Sequence, residues 1–277
     1  MQAVILAGGK GTRLAPLTEV IPKPLVPIGG KPILETVIIQ LQHCGFHRIT
    51  LAVGYMADLI RAYFQDGAKW GVRIDYSFES TPLGTAGPLA LIEGLNETFL
   101  VMNADVLTNL DYRELFQYHK TQGGVATIGA YQKEVTIDLG VILLNGDNRI
   151  KEYLEKPTRT FLVSMGIYVF EPWILKFIEP EIYLDFPDLV RRLLERGLPV
   201  NHYPFQGYWL DIGRHEDYQK AAEEYAELTE KIPFKLKPQK RGGMAFKNKH
   251  GSDSGRKDQV SAGEGKPLRP KNLRKII

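Results

Sequence analysis

Apolar residues follow two alternating patterns through the first two hundred residues. Residues 2–7 and 99–102 form short, almost wholly apolar runs, which are typical of strands buried on both faces of a sheet. In residues 33–44 the apolar positions recur at helical spacing, with Pro32 before them and Gly45 after them. The same criteria predict strands at Arg48–Val53, 72–78, 125–131 and 150–153, and helices at Ala57–Phe64, 186–194 and from 215 to about 228.

This alternation of strands and helices decides the fold class. A strand followed by a helix and then by another strand favours a parallel sheet with helices on both faces. We therefore expect an α/β protein with a doubly wound, largely parallel sheet. The chain has 277 residues, of which 44% are hydrophobic, and this is enough to bury a substantial core.

Charge is distributed unevenly along the chain. The formal net charge is +3, yet residues 231–277 carry 14 Lys and Arg against 3 Asp and Glu, so the rest of the chain is acidic. Residues 238–270 are rich in Gly, Ser, Lys and Pro and contain few apolar groups, a composition that predicts disorder. We interpret residues 231–277 as a basic, solvated tail, and we expect no nucleic-acid partner because the remaining chain is acidic.

Cysteine usage and hydropathy indicate the compartment. Cys44 is the only cysteine, so the chain forms no internal disulfide, and a small buried hydrophobe is the favoured interpretation of this residue. No apolar run approaches the length of a membrane span, and Met1 leads directly into the first apolar run. These features predict a cytoplasmic location without a membrane partner, and they leave homo-oligomerisation open.

A glycine-rich loop follows the first predicted strand. Gly8, Gly9 and Gly11 allow backbone N–H groups to approach an anion, while Lys10 and Arg13 add positive charge. The string is neither a P-loop nor a dinucleotide fingerprint, since Leu14 stands where the third glycine of that fingerprint would be. A flexible surface turn is the alternative interpretation. The position at the carboxyl end of a buried strand favours a triphosphate cradle.

Two later segments carry candidate chemistry. Asp105 follows the apolar run 99–102, where a carboxylate is costly unless it meets a cation, so Asp105 is a candidate Mg²⁺ ligand. Its alternative is a helix cap, because Asp111 opens a predicted helix soon after. In residues 82–88, Gly84 and Gly87 would permit close contact with a flat ligand, and Thr85 would cap the helix that follows. A capped loop-to-helix junction without ligand is the alternative there.

Residues 6–14 together with Pro22-Lys23-Pro24 resemble the signature of the sugar-1-phosphate nucleotidyltransferases. The resemblance extends over residues 1–230 with the motifs in order. It implies a Rossmann-like fold with a mostly parallel, mixed sheet in a three-layer αβα sandwich, forming a single catalytic domain. It also implies Mg²⁺-dependent transfer of a nucleotidyl group from a nucleoside triphosphate to a sugar 1-phosphate, with release of pyrophosphate.

The resemblance implies roles for individual residues. Arg13, Lys23 and Asp105 would be catalytic, and Asp105 and Asp211 would hold Mg²⁺. The nucleotide would be bound by Leu6, Ala7, Gly8, Gly9, Gly11, Thr12, Arg13, Lys23, Glu79, Pro82, Gly84, Thr85 and Asn103. The sugar phosphate would be bound by Gly140, Glu155, Lys156 and Ser164. Solvated surface charge is the alternative for Glu155 and Lys156, and Ser164-Met165 departs from the family pattern, which leaves the sugar open.

The string at residues 82–87 resembles the guanylyltransferase version of the motif. It implies GTP as the nucleotide and mannose 1-phosphate or a manno-heptose 1-phosphate as the acceptor. Small residues at 84–86 leave room for a purine, and Glu79 could accept hydrogen bonds from guanine. Two alternatives stay open: a uridylyl- or thymidylyltransferase acting on glucose 1-phosphate, and a catalytically inactive nucleotide-sugar sensor.

Overall fold

The computed structural model describes residues 1–231, in which helices and strands alternate as the apolar pattern predicts. The strands are β1 (Gln2–Ala7), β2 (Pro27–Ile28), β3 (Lys31–Pro32), β4 (Arg48–Val53), β5 (Arg73–Phe78), β6 (Phe99–Asn103), β7 (Val106–Thr108), β8 (Ala126–Thr136), β9 (Gly140–Leu144), β10 (Ile150–Glu155), β11 (Thr158–Phe170), β12 (Val200–Phe205) and β13 (Trp209–Asp211). The α-helices are α1 (Leu17–Val20), α2 (Ile33–His43), α3 (Ala57–Phe64), α4 (Tyr112–Gln122), α5 (Phe186–Glu195) and α6 (His215–Lys231). Short 3-10 helices lie at Thr12–Leu14, Lys23–Leu25, Ala68–Trp70, Gly87–Leu91 and Pro172–Phe177.

A seven-stranded sheet forms the centre of the molecule, in the order β12-β8-β11-β6-β1-β4-β5. Strand β11 runs antiparallel to both of its neighbours, and the other adjacent pairs are parallel. The sheet is therefore mostly parallel and mixed, as expected. β1 lies between β4 and β6, so the carboxyl ends of these parallel strands meet at one edge, where open α/β sheets bind ligands.

Two hydrophobic cores cover the two faces of this sheet. Ala3 and Ile5 of β1 pack into one core with apolar residues of α2, α3 and α4, whereas Val4 packs into the other with α5. Successive residues of one strand thus enter opposite cores, which explains the continuous apolar run that predicted a strand buried on both faces. The three-layer αβα arrangement and the α/β fold class are confirmed.

A third, smaller core holds the glycine loop in place. It joins Leu14 with Ile28 and Ile33, with Ile212 directly after β13, and with Leu228 of α6. Leu14 directly follows Arg13, so this core anchors one end of the loop. Helix α6 and the paired strands β7 and β13 therefore serve to position the loop beside the sheet.

The predicted bounds of some elements coincide with the observed bounds, and those of others do not. The predicted bounds of β4 and α3 coincide with the observed ones. Strand β8 is longer than predicted because its outer half leaves the sheet centre and pairs only with β11. Strand β12 lacks a strong apolar pattern and was not predicted, although it forms the edge of the sheet. Apart from Lys231, the segment predicted to be a disordered tail lies outside the described residues.

Cys44 follows α2 and lies in the first core with 2% of its surface exposed. Burial raises the pKa of its thiol to about 11. This agrees with the interpretation of Cys44 as a small buried hydrophobe. In the same part of the chain, residues 1–231, no helix is long and apolar enough to cross a membrane.

Candidate active site

A cavity of about 970 Å³ opens at the carboxyl ends of β1, β4, β5 and β6. All thirteen residues predicted to bind the nucleotide line it, together with the predicted catalytic residue Asp105. Lys10, which the sequence assigned to the glycine-rich cradle, also lines it, and further lining residues that the sequence did not indicate include Gly54, Tyr55, Tyr183 and Asp185. The cavity is large enough for a nucleotide-sized ligand.

The glycine loop borders the cavity, and the structural requirement for glycine differs from one position of the loop to the next. Gly11 adopts a left-handed conformation with φ +65°, and its carbonyl accepts a hydrogen bond from the Thr18 hydroxyl at 2.9 Å. A Cβ on Gly11 would lie 3.1 Å from Lys23 Cβ, so both conformation and space favour glycine there. A Cβ on Gly9 would meet nothing within 4 Å. The loop at Gly9 therefore faces open space.

Glu79 packs against the glycine loop. A Cβ on Gly8 would lie 2.2 Å from Glu79 Oε1, and one on Gly54 would lie 2.8 Å from the same oxygen. The other oxygen, Oε2, accepts a hydrogen bond from the Leu83 N–H at 3.1 Å. Burial raises the pKa of Glu79 despite this hydrogen bond. The carboxylate thus connects the glycine loop to the segment expected to bind the base, and it has structural contacts in addition to lining the cavity.

The predicted metal ligands Asp105 and Asp211 lie side by side, although they are 106 positions apart in the sequence. Pairing of β7 with β13 sets Asp211 opposite Val106, and the Asp105 carbonyl accepts a hydrogen bond from the Ile212 N–H at 3.1 Å. Burial raises the pKa of Asp211, and the nearby Asp105 carboxylate raises it further, while Lys23 and Arg13 oppose the shift. The site therefore combines two carboxylates with two cations.

Lys23 forms an ion pair with Asp105 through Nζ and Oδ2. The second oxygen, Asp105 Oδ1, is buried and has no hydrogen-bond partner. A buried carboxylate oxygen without a partner is costly unless a ligand or ion completes it. The alternative role for Asp105 as a helix cap is wrong, because α4 is capped by Asp111, which accepts the Arg113 N–H at 2.9 Å.

These donors fit a magnesium ion that is also bound by substrate. Mg²⁺ typically uses one or two protein carboxylates and completes its shell with phosphate oxygens and water. Asp105 and Asp211 supply such a pair, and Asp105 Oδ1 is an available ligand atom. Within residues 1–231 no group of three or more His, Cys, Asp or Glu side chains could hold a metal ion on its own. The two carboxylates are thus suited to an ion whose remaining ligands are phosphate oxygens and water.

Arg13 lies on the exposed 3-10 turn Thr12–Leu14, between the glycine loop and the strand that carries Asp211. A Cβ on Gly213 would lie 3.3 Å from Arg13 Nη1. Arg13 also lines the cavity. Its guanidinium is therefore placed next to both the loop and the carboxylate pair, where it can meet an anionic ligand.

The loop 82–87 contacts a distant segment of the chain. The Thr85 N–H and hydroxyl donate to Asp185 Oδ1 at 2.9 and 3.1 Å, and Thr85 Oγ1 accepts the Phe186 N–H at 2.8 Å. The prediction that Thr85 caps the following helix is wrong, because the 3-10 helix Gly87–Leu91 has Ala86 at its N-cap without a side-chain hydrogen bond. Thr85 instead meets the first residue of α5.

The same contact explains the two glycines of this loop. Gly84 has φ +80°, and a Cβ on it would lie 2.6 Å from the Leu184 carbonyl oxygen. A Cβ on Gly87 would lie 2.8 Å from the Ile182 carbonyl oxygen. We expected these glycines to admit a flat ligand, but the structure shows them admitting residues 182–185. Gly84 still borders the cavity.

Ser164 does not line the cavity, but it contacts the segment that packs against the lining residue Asn103. The β8–β11 register shifts between Ser164 and Tyr168, and Gly166 within this irregularity has φ +71°. A Cβ on Gly166 would lie 2.7 Å from Asn103 Nδ2. The Ser164 hydroxyl accepts the Gly166 N–H at 3.3 Å and donates to the Tyr168 hydroxyl at 3.1 Å. Ser164 thus supports the backbone that borders Asn103.

The other predicted sugar-phosphate residues lie together, and like Ser164 they are not on the cavity lining. Glu155 pairs with Gly140 between β10 and β9, and Lys156 follows in the turn to β11 with φ +47°. Lys156 Nζ lies 2.6 Å from Asp138 Oδ1, and their side chains are 56% and 82% exposed. The structure therefore groups Gly140, Glu155 and Lys156 on an exposed two-stranded sheet.

Residues 2–228 match the family described as Nucleotidyl transferase, and the chain belongs to this family. It is 36% identical over 241 residues to a UTP–glucose-1-phosphate uridylyltransferase of Synechocystis sp., which covers 80% of this chain and 62% of that protein. It is also 36% identical over 248 residues to a probable mannose-1-phosphate guanylyltransferase 1 of Oryza sativa subsp. japonica, covering 85% of this chain and 68% of that one. The family resemblance is confirmed. The chain spans 62% and 68% of the lengths of these two relatives.

Solved structures show the same fold. A putative glucose-1-phosphate thymidylyltransferase from Bacillus anthracis, in complex with a sucrose, has a TM-score of 0.66 and 26% identity over 80% of this chain and 94% of its own. HddC from Yersinia pseudotuberculosis, complexed with GMP-PN, has a TM-score of 0.62 and 29% identity over 81% of this chain and 99% of its own. The named bases thus include uracil, thymine and guanine.

Proposed function

We propose that the chain is a sugar-1-phosphate nucleotidyltransferase. It joins a nucleoside triphosphate to a sugar 1-phosphate and releases pyrophosphate. The observation that carries this proposal is the cluster of Lys23, Asp105 and Asp211 beside Arg13, at one edge of a cavity bordered by a glycine loop. Membership of the Nucleotidyl transferase family supports it.

The reaction brings two anions together, so the chain's residues act by positioning and by neutralising charge. An oxygen of the sugar phosphate attacks the α-phosphorus in line with the departing pyrophosphate. Arg13 and the loop 8–11 bind the pyrophosphate portion, and Lys23 draws charge from the α-phosphate. A phosphate oxygen is already ionised, so the attack needs no general base.

Asp105 and Asp211 would hold Mg²⁺ with the free Asp105 Oδ1 among the ligand atoms. When bound, the ion supplies positive charge against the phosphate oxygens. The residues then have separate duties: the carboxylates bind the cation, and the two basic side chains bind phosphate oxygens directly. Because Lys23 is paired with Asp105 in the structure, the same lysine is already close to the position of the phosphates.

For the acceptor, we assign Gly140, Glu155, Lys156 and Ser164 to the sugar phosphate. Glu155 would hold sugar hydroxyls, and Lys156 would exchange its exposed carboxylate partner Asp138 for the acceptor phosphate. For the nucleotide we favour GTP, with mannose 1-phosphate or a manno-heptose 1-phosphate as acceptor. The guanylyltransferase-like string at 82–87 and the guanylyltransferase relatives support this choice. We further propose that the protein acts in the cytoplasm.

An inactive nucleotide-sugar sensor is the alternative of another class. A sensor would be expected to lose charged groups that serve only turnover. Arg13, Lys23, Asp105, Lys156 and Asp211 are all present. This favours an enzyme.

A pyrophosphate-release assay tests the function. GTP, UTP and dTTP are each combined with mannose 1-phosphate, a manno-heptose 1-phosphate and glucose 1-phosphate, with Mg²⁺ or with EDTA. We expect release that EDTA abolishes, with kcat/KM for GTP at least roughly tenfold above that for UTP and dTTP. Faster turnover of UTP or dTTP with glucose 1-phosphate would overturn the base assignment. Nucleotide binding without release from any pair would instead favour the sensor.

A further inference from the structure

We propose that Tyr183 forms the contact surface for the nucleobase and that Asp185 is the positioning residue that holds it there. This inference rests on the proposed nucleotide binding and extends it to two residues that no sequence motif indicated. Both residues line the cavity, on the side bordered by Gly84 and Thr85.

The segment that carries Tyr183 is fixed to the loop 82–87 by the backbone. The Ala86 and Gly87 N–H groups donate to the Leu184 carbonyl at 2.8 and 3.0 Å, and the Leu184 N–H donates to the Leu83 carbonyl at 2.9 Å. Residues 182–185 and 82–87 therefore form one wall of the cavity. The absence of side chains at Gly84 and Gly87 is what allows this approach.

Both oxygens of Asp185 are occupied by groups of this wall. Oδ1 accepts from the Thr85 N–H and hydroxyl, and Oδ2 accepts from the Tyr183 hydroxyl at 2.7 Å. Burial alone would raise the pKa of Asp185, but the hydrogen bonds from Tyr183 and Thr85 outweigh it and lower the pKa. A carboxylate committed in this way acts on a ligand through its neighbours, which makes Asp185 a positioning residue.

Tyr183 differs from Asp185 because most of its ring is free. The side chain is 59% exposed although it borders the cavity. Its hydroxyl is anchored to Asp185, and this hydrogen bond raises the pKa of the phenol, so the phenol stays a donor at neutral pH. A fixed aromatic face beside a nucleotide cavity provides a surface on which a nucleobase can stack.

Nucleotide binding and kinetics separate this role from a merely structural one. Titration calorimetry with GTP and UTP is carried out on Tyr183→Ala, Tyr183→Phe and the control Leu194→Ala, an equally exposed side chain on α5. For Tyr183→Ala we expect the nucleotide Kd and KM to rise roughly tenfold, while KM for the sugar 1-phosphate changes less than about threefold. Tyr183→Phe keeps the ring but loses the hydroxyl that binds Asp185, so its nucleotide Kd should rise by about threefold, less than for Tyr183→Ala.

Asp185 is tested with a graded pair of variants. Asp185→Ala removes both hydrogen-bond acceptors that hold Tyr183 and Thr85, and it should raise the nucleotide Kd and KM by at least about threefold. Asp185→Asn keeps an oxygen for Thr85 and should raise them less. Melting temperatures identify variants that fail to fold, and Tyr183→Phe then carries the test of the anchor.

Two results would overturn the inference. One is wild-type nucleotide affinity in a folded Tyr183→Ala variant. The other is an equal rise of KM for nucleotide and for sugar 1-phosphate, which would show a general loss of structure. If the wild-type chain binds neither GTP nor UTP, the proposed function fails instead, so the two failures are distinguishable.

Discussion

The two regions that we propose to bind the substrates are built in opposite ways. The cavity proposed to bind the nucleotide is bordered by the ends of four adjacent strands and by loops that are bound to each other through their backbones. The acceptor arm, residues 132–163, comprises β9, β10 and the outer parts of β8 and β11, and large apolar side chains such as Leu139 and Leu144 are exposed on it. One region is formed before any ligand arrives, whereas the other presents side chains to solvent.

This difference shows how the cost of binding is distributed. In the cavity, close approach of glycines to neighbouring chain fixes the shape, and a ligand need not order these loops. On the arm, Lys156 is held only by an exposed ion pair with Asp138, and such pairs are worth about 0–1 kcal/mol. A phosphate could replace Asp138 at little cost, which suits the proposed role of Lys156 in binding the acceptor phosphate.

The largest expected effect lies in the cavity, at the charged cluster. Arg13→Ala and Asp105→Asn should each lower kcat at least about a hundredfold, because both groups meet charge that shifts during phosphoryl transfer. Pyrophosphate release measures the loss, and the exposed residue Asp58 on α3 provides the control variant Asp58→Ala. Retention of a tenth of the wild-type rate in a folded variant would remove that residue from the mechanism.

A matched pair of glycine substitutions tests the contrast in rigidity. Gly84→Ala forces a Cβ to within 2.6 Å of a backbone oxygen at φ +80°, and we expect a loss of about 1–3 kcal/mol in the free energy of unfolding. Gly140→Ala meets the hydroxyl and the adjoining ring carbons of Tyr153, but this side chain is 60% exposed and can turn away, so the loss should stay below about 0.5 kcal/mol. Urea unfolding measures both. Equal destabilisation would refute the contrast.

Lys156→Ala should affect one substrate and not the other. We expect KM for the sugar 1-phosphate to rise about tenfold and KM for the nucleotide to change less than about twofold, since the residue lies off the cavity lining. Lys151→Ala on β10 is the control, because it removes an exposed lysine from the same arm. A rise in the nucleotide KM would show that the regions are not separate.

The smallest effect concerns the pH dependence of stability at Glu79. Its pKa is raised in the folded state, so its contribution to stability is full below the ordinary value of 4.5 and declines as the pH rises through the folded-state pKa. Glu79→Gln should therefore raise Tm by about 1–3 °C at pH 7, and the gain should vanish near pH 4. The exposed Glu93→Gln is the control, and a gain that is independent of pH would contradict the explanation.

The fold was predictable where apolar periodicity is local. β1, β4 and α3 are short segments whose own residues enter the cores, so their pattern identified them. β12 was harder to predict, since its pairing depends on β8, which is distant in the chain, and its apolar pattern is weak. For the same reason β8 was predicted only as far as its buried half extends.

The residues of the candidate site were likewise predictable only where the signal in the sequence is local. Asp105 and the glycine loop lie at strand ends, which sequence alone can indicate. Asp185 lies a hundred residues from Thr85 in the chain, and nothing in the intervening sequence states that the two segments meet. Hence the sequence explained the loop's glycines only by contact with a ligand, whereas in the structure they also make room for the protein's own backbone.

Because Cys44 is buried, an introduced surface cysteine can be labelled selectively in the otherwise unchanged chain. With a pKa of about 11, this thiol is almost wholly protonated at neutral pH, and the first core shields it from reagents. A cysteine introduced on the acceptor arm by Leu139→Cys would then be the only reactive thiol in the native protein. Fluorophores or spin labels attached there can report the movement of the arm when a sugar phosphate binds, without prior removal of Cys44.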